Sequence, residues 1–120
     1  MSDTQGTSHG FHVSAGDAVE ALAQLDRSAP FRSVPLFRHG SLLVKYYAPQ
    51  ASDRQQPHVQ DEVYVIASGS AVFFDGWRRA QCNAGDLLFA AAGVEHRFED
   101  FTPDFGTWVM FYGPEGGEVD

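Results

Sequence analysis

From Ser41 onward, turn residues cut the chain into pieces too short for helical crossovers: Gly69, Asp75-Gly76, Gly85-Asp86, Gly93, Pro103 and Gly113-Pro114. The pieces read as strands: SLLVKYYA (41–48), EVYVIA (62–67), SAVFFD (70–75), WRRAQC (77–82), DLLFA (86–90), EHRFED (95–100) and TWVMFYG (107–113). Asp75-Gly76, between two alternating runs, is the strongest hairpin signal. Strands at this spacing without helices between them predict an all-β antiparallel sandwich or barrel, not a parallel α/β sheet.

Before Pro35 the period changes. Ser14 and Asp17 have capping-box spacing, and DAVEALAQL sets Val19, Leu22 and Ala23 at helical intervals, which predicts one short helix over about residues 15–26. Residues 1–10 are small and polar, and a loose tail is expected over 1–13. One domain over 14–114 suits a chain of 120 residues, with a frayed, acidic, Gly-rich end over 115–120.

The 8 Lys+Arg against 16 Asp+Glu give a net charge of −8, which argues against nucleic acid and anionic membranes as partners. Cys82 is the sole cysteine, so no intrachain disulfide can form, and a small buried hydrophobe is expected there. MSDTQGTSHG has neither a basic n-region nor an apolar h-region, so a cytoplasmic location is expected.

Two segments carry chemistry, Gln56-Pro57-His58-Val59-Gln60-Asp61-Glu62 and Gly93-Val94-Glu95-His96. Gln56, His58 and Glu62 share strand parity and can face one side. A histidine and a carboxylate inside a barrel are costly to bury unpaired, and a divalent metal is one resolution of that cost. If His96 reaches in from another strand, two imidazoles and one carboxylate form a facial set with open coordination positions.

At these residues the sequence resembles the cupin superfamily. Its first motif, G-x5-H-x-H-x3-E-x6-G, is met by His58, Glu62 and Gly69; its second, G-x5-P-x-G-x2-H-x3-N, by Gly85, Gly93 and His96, with Asp100 where the family has Asn. Gln56 replaces the first histidine, Ala91 replaces the proline, and Ala51-Ser52 lie near the place of the missing leading glycine. The resemblance implies a cupin-type antiparallel barrel or jelly roll with one short N-terminal helix. It also implies one divalent metal ion per chain (Fe, Mn, Ni or Zn) on His58, Glu62 and His96. Gln56 would be a weak fourth ligand, since an amide oxygen binds late first-row metals less well than imidazole.

The function implied is a mononuclear metalloenzyme, dioxygenase-like or isomerase-like, acting on a small organic molecule. In the isomerase form the proton moves through Glu62, a tyrosine or bound water. The alternative is a non-catalytic module that binds a sugar or organic acid. The family resemblance implies a homodimer that hides sheet edges. Tyr64, Phe74, Phe98, Trp108 and Met110 are expected in the core or pocket wall, and Lys45 on a solvated outer face.

Overall fold

The computed structural model describes residues 10–25, 32–53 and 55–119. Among the described residues eight strands follow one helix: α1 Ala15–Ala23, β1 Ser33–His39, β2 Leu42–Tyr47, β3 Asp61–Ser68, β4 Ser70–Phe74, β5 Arg79–Asn83, β6 Leu87–Ala90, β7 Arg97–Glu99 and β8 Gly106–Tyr112. They form a five-stranded sheet, ordered β1-β2-β8-β3-β6, and a three-stranded sheet, ordered β5-β4-β7. Every pairing is antiparallel, as expected for an all-β jelly roll. No helix among the described residues is long and apolar enough to cross a membrane.

Ser14 caps α1 as its spacing predicts: the Asp17 amide donates to Ser14 Oγ at 3.0 Å, and the Ser14 amide donates to the Asp17 carboxylate at 3.2 Å. The helix gives way at Gln24, shorter than the expected span, whose last residue lies outside the described residues. β1 is a strand the sequence reading did not predict. Its Pro35 cannot donate to a ladder, yet β1 lies at the sheet edge, and its register with β2 shifts between Pro35 and Phe37.

The hairpin at Asp75-Gly76 forms where expected, but with the longer loop 75–78. Asp75 Oδ1 accepts the amides of Trp77 at 2.9 Å and Arg78 at 2.7 Å, which folds the carboxylate into the turn. Gly69, which closes the first motif, has φ +73°, and a Cβ there would stand 2.7 Å from Phe105 Cα. Only glycine fits both the conformation and the space.

The five-stranded sheet is covered on both faces. Outside, Ala18 and Leu22 of α1 pack with Leu36 and Tyr46, and with the partly buried Trp108. Inside, Tyr64, Ile66, Phe73, Phe98, Phe105 and Val109 fill the space between the sheets. Tyr64 meets Phe98 edge-on at 5.0 Å, and Phe98 meets Phe105 at 4.8 Å. Cys82 is buried in this core, as expected. Because Tyr46 turns to the helix, its neighbours Lys45 and Tyr47 turn inward, and Lys45 faces the interior cavity rather than a solvated outer face.

Both chain ends touch the barrel within the described residues. Phe11, in the segment expected to be a tail, stacks on Phe37 with ring centroids 4.5 Å apart. In the segment expected to fray, the Gly116 amide donates to the Val59 carbonyl at 2.7 Å and the Glu118 amide to Asp61 Oδ2 at 2.8 Å.

Candidate functional site

Cross-strand register brings the site residues together. Glu62 of β3 pairs with Phe111 of β8, which pairs with Leu43 of β2; one step along, Tyr64, Val109 and Lys45 form the next row. Glu62, Phe111, Val109 and Lys45 line a cavity of about 380 Å³, joined by Gln56 and His58 from the loop before β3.

His96 enters from the segment before β7 and meets Glu62 in the interior, with Nε2 2.6 Å from Glu62 Oε1 and both side chains almost fully buried. His96 Nδ1 lies 2.8 Å from the Val94 carbonyl. A carbonyl only accepts, so Nδ1 carries the proton, and in the neutral ring the Nε2 lone pair faces the carboxylate. Nε2 and Glu62 Oε2 have no hydrogen-bond partner among the described residues. The Nε2 lone pair and the carboxylate oxygen Oε1, in contact at 2.6 Å, require a cation: a proton between them, which makes imidazolium, or a metal ion that both bind. Glu62 and His96 thus supply two adjacent donors, an imidazole nitrogen and a carboxylate, of the kinds that a divalent ion takes. Burial opposes the protonated ring, but the hydrogen bond and charge of Glu62, with the Val94 carbonyl and Asp53, raise the His96 pKa overall.

His58 and Gln56 take other positions. The His58 ring stacks on Phe111 with centroids 3.9 Å apart, and Nδ1 accepts the Gln60 amide at 3.4 Å, which leaves the neutral ring's proton on Nε2. Gln56 is exposed at the cavity wall. Among the described residues, no three His, Cys, Asp or Glu side chains converge as a set that would hold an ion. Of the four expected ligands, direct contact joins Glu62 and His96, while His58 and Gln56 share a cavity wall with Glu62.

Asp53 was not singled out from the sequence. Its carboxylate accepts the Tyr47 hydroxyl, the Gln55 amide at 3.1 Å, Gln55 Nε2 at 2.7 Å and the Phe98 amide at 2.8 Å. Gln55 Oε1 in turn accepts the Tyr64 hydroxyl at 2.9 Å. Burial first, then Asp53, pushes the Tyr47 phenol far up; burial and then Glu62 do the same to Tyr64. Both tyrosines are therefore held protonated, Tyr47 on the cavity wall and Tyr64 in the buried core. The local Asp-x-Gln pattern signals a turn, but its partner at Phe98 could not be read from it.

An uncharacterized protein of Streptomyces coelicolor is 38% identical over 80 residues, which cover 65% of this chain and 76% of that one. An acireductone dioxygenase of Yarrowia lipolytica is 44% identical over 46 residues, 34% of this chain and 27% of the enzyme. Among solved structures, KdgF from Halomonas sp. has a TM-score of 0.64 at 14% identity, covering 76% of this chain and 86% of its own. An RmlC-like cupin from Shewanella frigidimarina has a TM-score of 0.59 at 18% identity, covering 74% and 80%. No family model matches the chain.

Proposed function

We propose that the chain is a cupin whose interior cavity holds one divalent metal ion beside a small organic molecule, as a mononuclear metalloenzyme does, a reading supported by its likeness in fold to cupin structures and by its local similarity to acireductone dioxygenases. The observation that carries this reading is the contact of His96 Nε2 with the Glu62 carboxylate while His96 Nδ1 is committed to the Val94 carbonyl. That commitment is the orienting hydrogen bond that metal-bound imidazoles ordinarily make.

Glu62 and His96 would hold the ion, with His58 and Gln56 completing the set from the loop. His58 would release the Gln60 amide to do so. When bound, such an ion polarises a substrate oxygen or, if it is redox-active, offers a site for dioxygen. The chain's own part is to position the molecule and manage protons. Val109, Phe111 and Pro57 give the cavity an apolar wall that limits water, and Tyr64 keeps its phenolic proton next to Glu62. In the isomerase form Glu62, which lines the cavity, would move the proton; the dioxygenase form needs only binding and orientation from it.

The test is metal content by elemental analysis of untagged protein. Glu62→Ala and His96→Ala each lose the metal, His58→Ala loses it too, Gln56→Ala weakens binding less, and Gln56→His tightens it. Equal content in all variants would sink the ligand assignment. A second reading is a non-catalytic binding module in which the bridging cation is a proton, favoured by the raised His96 pKa. Its signature is small-molecule binding without stoichiometric metal after reconstitution.

A homodimer belongs to the same proposal. β6 is an edge strand and exposes Leu87 at 66% and Phe89 at 50%, a surface that a second copy would cover. Light scattering on Leu87→Glu/Phe89→Glu should then report a monomer where the unmodified chain gives twice the mass.

A further inference from the structure

We infer that Lys45 anchors the carboxylate of the bound molecule, so that the cavity selects small organic acids over their neutral analogues. The inference rests on the reading of this cavity as a small-molecule site and is independent of whether a metal occupies it.

Most hydrogen-bonding groups on and behind the wall are already engaged within the protein. The Tyr47 hydroxyl donates to Asp53, the Gln55 side-chain nitrogen also donates to Asp53, and Gln55 Oε1 accepts Tyr64. Those groups are committed to the protein and have little left for a ligand. Glu62, the opposite charge that Lys45 feels, is in contact with His96.

Lys45 is the cation of the wall. It is half-buried on the row with Val109, and its ammonium makes no hydrogen bond or ion pair with another described residue. Burial lowers its pKa, and the charge of Glu62 works against that. A partly desolvated ammonium with three unused donors is an unusual thing to keep in an apolar wall, and an incoming anion is the partner that relieves it. Ser33 and Gln56 line the same cavity, and their side chains make no hydrogen bond with another described residue, so they can serve the second carboxylate oxygen.

Two further facts bound the class of ligand. The cavity of about 380 Å³ lies near the lower end of small-molecule sites, roughly 300–1,000 Å³, which suits a short-chain acid better than an oligosaccharide. The whole chain carries −8, so a preference for anions cannot come from its overall field and must come from a local cation.

The experiment is ligand-observed NMR on the full chain with a set of short-chain 2-hydroxy and 2-oxo carboxylic acids, each paired with its primary amide. It is run on protein as purified and on protein treated with EDTA. Acids should bind in preference to their amides in both preparations. Lys45→Met should weaken acid binding by about tenfold or more and abolish the preference, while Lys45→Arg should retain it. Lys45→Gln stands in if the Met variant fails to fold. Elemental analysis in parallel should give Lys45→Met the metal content of the unmodified chain. Amides binding as well as acids, undiminished binding in Lys45→Met, or no acid binding at all would overturn the anchor. Acid preference in a protein that holds no stoichiometric metal as purified or after reconstitution would overturn only the metal reading.

Discussion

The Asp53 carboxylate accepts the backbone amide of Phe98 at 2.8 Å, so a loop residue after β2 is hydrogen-bonded to β7, an edge strand of the opposite sheet. An edge amide that would otherwise seek solvent or another chain is satisfied within the fold. The same carboxylate holds Tyr47 and Gln55, which gives one side chain control of the loop that carries Gln56 and His58.

Asp53→Ala is therefore expected to lower stability by about 2–3 kcal/mol, because it strips acceptors from several partly buried donors at once. Urea denaturation checks this; an unchanged midpoint would mean that water replaces the carboxylate at no cost. The Tyr47 phenol should also ionise at lower pH in the variant, since the carboxylate adds to burial in raising its pKa.

Gly69→Ala meets both a positive φ and a backbone atom of Phe105 at 2.7 Å from the new Cβ. We expect a loss of about 2–4 kcal/mol or failure to fold, read by denaturant titration. Gly85→Ala is the control: its φ is +93° but its Cβ would meet nothing, so only the smaller conformational cost of about 1 kcal/mol applies.

The Asp75 carboxyl is held below its ordinary range by the amides of Arg78 and Trp77. A carboxyl whose pKa is lower in the folded than in the unfolded chain adds stability above the unfolded value and loses it as pH falls through the folded one. Melting temperature should therefore fall less steeply from about pH 5 to about pH 2 in Asp75→Asn, which keeps the amide acceptor but does not titrate there. Parallel curves for the two proteins would remove Asp75 from the acid sensitivity.

Lys45→Met should raise stability by about 1 kcal/mol, since it replaces a half-buried, unpaired ammonium by a thioether of similar length. Thermal melting reads this directly. A destabilised variant would assign Lys45 a structural role instead.

Strand spacing and turn chemistry carried most of the architecture, because Gly69 and Asp75-Gly76 act locally on the backbone. β1 escaped because Pro35 argues against a strand unless one knows that the strand lies at an edge. Lys45 was misplaced for a related reason. Polar-apolar alternation along β2 has an outside only where solvent covers the other face, and here α1 takes that position against Tyr46. Spacing singled out Glu62 and His96, which do meet; the Asp53 link to Phe98 spans 45 residues, and no local pattern encodes it.

The helix laid across the back of the five-stranded sheet divides labour along each strand. Ala18, Leu22, Leu36 and Tyr46 form a foundation sealed from the cavity, while the neighbouring side chains of the same strands furnish its wall. Alternate positions of β2 and β8 thus answer to different demands, one to cohesion and the other to recognition. Such a sheet can have its inner lining rewritten, one residue in two, and leave its anchorage in place.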